Sequence, residues 1–387
     1  MNIHDLTIPA QEQPNSEYEF DDKELAKRSN REVTFPTVLD ATILSTYDSC
    51  PLKAFREYCL GLSSPHPSIH LHAGGAFACA LEIYRKGIWQ KGFSSKDALV
   101  YSYDAFCDYW GDVEAPDKGT GAYKTKNRMW EAVMFYLEEY PEDRNNSIKP
   151  FNYNNDANDC SGVEFSIAMP LPFNHPETGN PIAYGGRFDL LGYVGDDLVI
   201  MDEKTSSSLG PTWNEQWKMR GQFIGYWWAL QKLGLEPKAV IIRGISILKT
   251  KFGTQEVKMA IPQHVVDNWE LAMMTKASNF LNNYKSYKML ANKIDASEKS
   301  KLHEYPICLP ERAFTPAFGE ACNAYGGCSF KDLCRSPNPS SWYSQYGIRD
   351  WNPLHKDHFD FSRDRLDKLQ PIPENRNKSS FSLSDFE

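Results

Sequence analysis

Residues 184–206 constrain this chain more than any other stretch. Phe188, Leu190 and residues 191–194 read as one strand, Gly195-Asp196-Asp197 as a tight turn, and residues 198–204 as the return strand of a β-hairpin. Side chains alternate across a strand, so Leu198, Ile200, Asp202 and Lys204 share one face, while Val199, Met201 and Glu203 share the other. The apolar run stops at Met201 and gives way to Asp202-Glu203-Lys204. A buried strand thus delivers a carboxylate and an ammonium, two residues apart, to one face of its end. On the partner strand Asp189 interrupts another apolar run. Two acids and a lysine converging there are the makings of a divalent-metal site with a cation beside it. The same triplet also suits an exposed strand edge, where charges discourage edge-to-edge pairing, so the surroundings must decide.

A chain of 387 residues makes one large domain or two, with ample material for a core. No stretch approaches the uninterrupted apolar length of a membrane span, and the first residues lack the basic start and apolar core of a signal peptide. The expectation is a cytoplasmic protein, in the host cytoplasm if phage-encoded, with no membrane partner. The net charge of −9 excludes a broadly basic coat for nucleic acid and requires any DNA contact to use a local track. Nine cysteines in such a compartment are not read as disulfides. Cys322, Cys328 and Cys334 cluster near the end, and that pattern points to a metal.

Along the chain, residues 1–35 read as a mobile tail. Asp40 or Thr42 caps a short helix to Cys50, and Pro51 opens another. Gly74-Gly75 opens a helix that carries Glu82, and further helices follow over 95–110 and 123–140. Residues 145–160 are a loop and 163–169 a strand. After the hairpin, 213–233 reads as a helix on which Gln222 and Tyr226 share a face, with Gly221 and Gly225 allowing close backbone approach. Residues 239–248 form a central strand, 256–261 a shorter one, and 265–290 a long helix. This order gives an α/β core around a mixed sheet with a helical N-terminal region.

Taken together, Gly186-Arg187-Phe188-Asp189, Asp202-Glu203-Lys204-Thr205 and 222–226 (Gln-Phe-Ile-Gly-Tyr) resemble the motifs of the PD-(D/E)XK nuclease superfamily. The similarity is to its RecB-like exonuclease branch, which includes CRISPR-associated adaptation nucleases and phage-encoded relatives. There a G-x-x-D strand, a D-x-K strand and a Q-x-x-x-Y helix follow a helix that supplies a glutamate, here Glu82. Four motifs in the correct order are far more specific than any one of them. The resemblance spans about residues 42–335. It implies a restriction-endonuclease-like core and hydrolysis of DNA phosphodiester bonds with Mg²⁺ or Mn²⁺. Asp189 and Asp202 are the implied metal ligands, joined by the Glu203 backbone carbonyl and by Glu82. Lys204 orients or deprotonates the attacking water and stabilises the transition state, and Gln222 and Tyr226 position Lys204 or the scissile backbone. One departure stands out: many relatives carry a metal-binding histidine four residues before the glutamate, and here that position is Ala78.

Cys50, followed by Pro51, with Cys322, Cys328 and Cys334 resembles the iron–sulfur staple of this branch, a 4Fe–4S cluster on one upstream and three downstream cysteines. Four thiolates suit tetrahedral Zn²⁺ equally well. Domain bounds on this reading are a tail over 1–35, a helical region over 36–160, the nuclease core over 161–295, a cysteine-clipped segment over 296–340 and a largely mobile extension over 341–387. Arg187, Lys218 and Arg220, and the basic run Lys124, Lys126 and Arg128, are candidate DNA contacts. The terminal peptide from Phe381 could dock on a replication or recombination protein. The reading is thus an exonuclease acting on DNA that is single-stranded or has free ends, in recombination, repair or phage DNA metabolism. The alternative is a non-catalytic iron–sulfur subunit for DNA binding or assembly.

Overall fold

The computed structural model describes residues 33–64, 68–142, 148–152, 161–292, 308–323, 327–336, 343–349 and 351–354. Most of the expected tail over 1–35 and the terminal peptide with Phe381 lie outside the described residues. The fold below is that of the unit beginning at Thr34.

β1 (Val38–Leu39) leads into α1 (Ala41–Ser49), capped by Asp40, whose carboxylate accepts from Ile43 N at 2.6 Å. α2 (Pro51–Ala54) runs on as a π-helical turn over Phe55–Cys59, and β2 (Leu62–Ser63) follows. Next come α3 (Ile69–Trp89), α4 (Ser95–Trp110), a 3-10 turn (Thr120–Tyr123) and α5 (Lys126–Glu139). The strands β3 (Lys149–Pro150), β4 (Val163–Asn174), β5 (Pro181–Val194) and β6 (Asp197–Ser206) are contiguous in sequence order. α6 (Pro211–Glu215) and α7 (Gly221–Lys232) precede β7 (Ala239–Ile247), β8 (Phe252–Met259) and α8 (Gln263–Asn292). α9 (Cys308–Ala313), α10 (Lys331–Arg335) and β9 (Gly347–Ile348) close the described chain.

A mixed sheet of seven strands in the order β1-β5-β6-β7-β8, with β3 and β4 also on β5, forms the centre. The pair β6–β7 is parallel, and α6 and α7 supply the crossover that such a pair requires. β7 is buried along almost its whole length, as its largely apolar sequence, interrupted by Arg243 and Ser246, requires. One face of the sheet is covered by α3, α4 and α5, whose Phe77, Phe106, Trp130 and Val133 pack with Ile245 and Ile247 of β7. α7 and α8 cover the other face through Trp228, Trp269 and Tyr184. The expected α/β architecture, helices on both sides of a mixed sheet, is the one observed.

Several local readings need correction. The helix expected over 213–233 is two helices. Trp213 lies over Gly244 of β7, where an added Cβ would come within 2.4 Å of its ring, so α6 is pinned to the sheet and the chain must turn before α7. Gly74-Gly75 does not open α3 but sits inside it. A Cβ on Gly75 would meet the Tyr109 hydroxyl at 2.0 Å, so this glycine serves helix packing. The short strand expected over 256–261 runs over Phe252–Met259 instead. Part of the extension beyond 341 is packed rather than loose: β9 pairs with β2, Trp351 Nε1 donates to Asp40 at 3.2 Å, and Ser166 Oγ donates to Leu354 O at 2.8 Å.

Gly225 allows the close approach its spacing predicts, since a Cβ there would fall 2.0 Å from the Tyr184 hydroxyl and 2.8 Å from Trp269. At Gly221 the nearest atom would be Trp269 Nε1 at 3.3 Å. Gly225→Ala is therefore expected to destabilise the protein by about 1–3 kcal/mol through overpacking. Gly221→Ala should be near neutral. The shift in urea midpoint of the two variants checks the difference.

Candidate active site

β5 and β6 pair from Val194–Asp197 up to Leu190–Met201, and there their ladder ends. β6 continues, paired with β7 on its other side through Ser206. Freed from β5 carbonyls, the Glu203 N–H turns to Asp189, donating to Oδ2 at 3.0 Å. The opposite edge of β5 is irregular at the same level. Glu164 of β4 lies between the pairs Val163–Leu190 and Phe165–Phe188 with φ of 55°, a left-handed backbone uncommon outside glycine. The sheet thus opens a wedge around Asp189.

Into this wedge Asp202 and Lys204 project from β6. Lys204 Nζ lies 2.5 Å from Asp202 Oδ2. Gln222 Nε2 donates to Asp202 Oδ1 at 3.3 Å and reaches the Tyr226 hydroxyl at 3.2 Å. Tyr226 in turn donates to the Arg187 carbonyl and packs on Phe188 with ring centroids 4.2 Å apart. Gly186 is required under that ring, since a Cβ would meet Tyr226 Cε1 at 2.7 Å. Two residues a helical turn apart on α7 therefore tie Asp202 to the backbone of β5.

The electrostatics are those of acids without enough positive charge. Burial, reinforced by Asp189, pushes Asp202 up to about 7 against the pull of Lys204. Asp189 is raised by burial, and Glu164 is pushed up to about 8 by burial despite Arg187. Burial disfavours the Lys204 ammonium, but Asp202 and Asp189 outweigh it and hold Lys204 above its ordinary value, hence protonated. Asp202 is fully buried, and its Oδ2 receives no hydrogen bond of good geometry even beside Lys204. An oxygen in that condition fits a hard cation. As placed, no three His, Cys, Asp or Glu side chains among the described residues are close enough to hold a metal ion.

Behind the sheet the Glu203 side chain points away from Asp202, as strand alternation requires. It accepts from Arg85 Nη2 and, at 2.9 Å, from the Tyr136 hydroxyl. Arg85 Nε also donates to Glu142 at 2.7 Å, and Trp89 Nε1 reaches the other Glu142 oxygen at 3.4 Å. Burial opposes the Glu203 charge, but Arg85 overcomes it and holds the carboxyl below its usual range.

Glu82 lies on α3, buried, with Oε1 accepting from Lys86 at 2.6 Å. Ala78 sits one turn before it, half-buried. Arg187 pairs with Glu164 at 2.7 Å. Arg187 and the exposed Arg220 line a groove of about 800 Å³ that also holds Asp189, Gln222 and Tyr226. Lys218 pairs with Glu215 outside that groove lining. The basic run over 124–128 does not make one track. Lys124 is buried against Thr205, with Nζ to Oγ1 at 3.3 Å, and Arg128 turns to the Leu248 carbonyl. Sequence reasoning missed Glu164 and Arg85. An acid inside the apolar alternation of β4, and an arginine three residues after Glu82, were the available signals.

The cysteines occupy a separate corner. Cys50 caps α2, and Cys328 N donates to the Cys322 carbonyl at 3.0 Å. Burial raises the Cys328 thiol, with Cys50 and Cys334 adding to the shift, but as placed the described cysteines do not come close enough together to hold a metal ion. Arg56, 2% exposed, donates to Cys334 Sγ at 3.0 Å. Among the described residues no helix is long and apolar enough to cross a membrane.

A family profile described as the PD-(D/E)XK nuclease superfamily matches residues 39–335. No curated protein gives a significant match. Among solved structures, a candidate exonuclease from Eubacterium rectale is 10% identical with a TM-score of 0.38, covering 69% of this chain and 86% of that one. The protein SSO0001 is 14% identical with a TM-score of 0.29, covering 81% of this chain and 92% of that one.

A carboxyl whose folded pKa lies above its unfolded value stabilises the fold at low pH and loses that contribution as pH rises through the folded value. For Asp202 the window runs from the ordinary aspartate range up to about 7. Metal-free protein should therefore lose stability across that window. Asp202→Asn should flatten the loss and raise the thermal midpoint at pH 8 but not at pH 4. Melting curves at the two pH values, with chelator present, check this.

Proposed function

The chain belongs to the PD-(D/E)XK nuclease superfamily, and we propose that it is a metal-dependent deoxyribonuclease acting as an exonuclease on DNA that is single-stranded or has free ends. Recombination, repair or phage DNA metabolism is the setting that fits such an activity. The observation that carries the reading is the meeting of Asp189, Asp202 and Lys204 in one wedge, with Gln222 bonded to Asp202.

Asp189 and Asp202 would hold Mg²⁺ or Mn²⁺, with the Glu203 carbonyl and Glu82 completing the set. Such an ion supplies Lewis-acid stabilisation of the phosphate and a water acidic enough to attack at neutral pH. The chain's own groups do the rest. Lys204, kept protonated by its two acidic neighbours, is suited to donate to a phosphate oxygen as charge develops there, rather than to serve as a base. Gln222 fixes the Asp202 carboxylate plane, and Tyr226 fixes Gln222 against β5. Arg187 and Arg220 offer phosphate contacts along the groove, the local basic track that a chain of net charge −9 must use. The buried Lys124 is better suited to hold the end of β6 through Thr205 than to touch DNA. Ala78, in place of the family histidine, favours a second reading, a non-catalytic DNA-binding or assembly subunit that keeps the fold.

The decisive test incubates end-labelled single- and double-stranded linear DNA with Mn²⁺ and wild-type or Asp202→Ala protein. The wild type should shorten one labelled end, and the variant should lose at least about a hundredfold in rate. Folded wild type that cleaves neither DNA would favour the binding subunit.

Cys50, Cys322, Cys328 and Cys334 would hold a 4Fe–4S cluster, clipping the two ends of the unit together. Protein purified without oxygen should carry about four irons and four sulfides per chain. Cys334→Ser should lower both and the melting temperature. Zinc in their place would assign the site to Zn²⁺ instead.

A further inference from the structure

Arg85 stands out because none of the motifs includes it, yet it bridges two of the elements that the site depends on. It is 2% exposed on α3, one turn after Glu82. Its guanidinium grips Glu203, the residue between Asp202 and Lys204, from the face of the sheet opposite to theirs. Glu203 also supplies the N–H that Asp189 accepts. At that point β6 has lost β5 as a ladder partner, so β7 is its remaining strand neighbour. The side chain of Glu203 then decides how far the Asp202–Lys204 strand end can rotate, and Arg85 with Tyr136 decides where that side chain stays.

We propose that Arg85 is a positioning residue for the reaction. By clamping Glu203 from behind, it holds the Glu203 peptide under Asp189 and sets the phase of Asp202 and Lys204, while locking the helix that carries Glu82 to the same strand. The proposal rests on the nuclease reading of Asp189, Asp202 and Lys204. The clamp is more than generic burial because the contact is specific. Arg85 divides its donors between Glu142 and Glu203, and the Tyr136 hydroxyl shares the Glu203 Oε1 atom with Arg85. A forked, planar donor set is needed for that division, and a lysine cannot reproduce it.

The test uses the full chain as wild type, Arg85→Lys and Glu203→Gln, with Tyr136→Phe as the variant least able to disturb folding. Two measurements are made. Hydrogen exchange on peptides spanning β6 is followed in chelator, and Mn²⁺-dependent kcat and KM are measured on labelled DNA. Faster exchange in β6 with β7 still protected, together with a tenfold or greater fall in kcat at little-changed KM, is expected. Rescue toward wild type should follow the order Arg85→Lys below Tyr136→Phe. Unchanged β6 exchange and kcat within twofold of wild type in folded variants would overturn the proposal. Equal loosening of β6 and β7 would overturn it too, because Arg85 would then be a stability residue only. If the wild type cleaves no DNA but β6 alone loosens in the variants, the nuclease reading falls and the clamp stands. If Arg85→Lys and Glu203→Gln do not fold, Tyr136→Phe decides by the same criteria, with a smaller expected change in both measurements.

Discussion

The parting of β5 and β6 beyond Leu190 and Met201 is the constraint on which the rest of the site depends. In a continuous antiparallel ladder Asp189 and Asp202 would face each other across paired strands, and like charges in that arrangement repel. Parting the strands relieves the pairing and leaves the Glu203 N–H without a carbonyl. A buried donor must find an acceptor, and the Asp189 carboxylate supplies it at 3.0 Å. The left-handed Glu164 on the next strand belongs to the same distortion. Backbone irregularity on both sides of Asp189 is what makes room for several charged side chains in the middle of a packed sheet.

Charge is distributed unevenly across the two faces of β6. In front, Asp189 and Asp202 share one lysine, and Asp202 Oδ2 lacks a well-aligned donor. Behind, Glu142 and Glu203 share one arginine, but Tyr136 and Trp89 add hydrogen bonds that complete the set. The consequence is visible in proton affinity: Glu203 is held ionised, whereas Asp202 is raised to about 7. The satisfied face is a structural anchor, and the unsatisfied face is where a cation gains most. Burying two carboxylates beside a single lysine is costly, and the front of the strand carries that cost.

The helices enforce this arrangement from a distance. Gly225 lets α7 settle against Tyr184 and Trp269, which sets the height of Gln222 above Asp202. The segment around Trp351 packs at the groove beside Asp40, so residues late in the chain help to wall the approach to Asp189. Arg56 donates to Cys334 Sγ, joining early and late chain in a second place.

Much of this was legible in the amino-acid order. Alternation put Asp202 and Lys204 on one face and Glu203 on the other. The break from apolar to charged residues marked where β5 and β6 part, although β6 itself runs on beside β7 to Ser206, and a four-residue spacing put Gln222 and Tyr226 together. These are local facts, fixed by the periods of strands and helices. The sequence did not reveal where those periods fail. Glu164 in a left-handed conformation, the break between α6 and α7 imposed by Trp213 over Gly244, and the burial of Lys124 all arise from contacts between residues far apart in the chain. Nor could it show that Arg85 reaches Glu203 through the packing of α3 on the sheet. Residue order determined which chemical groups each element would present, because side-chain direction follows from local backbone geometry. Tertiary structure alone decided which of those groups meet, because a meeting of buried charges depends on how the elements pack and on what each charge finds across the interface.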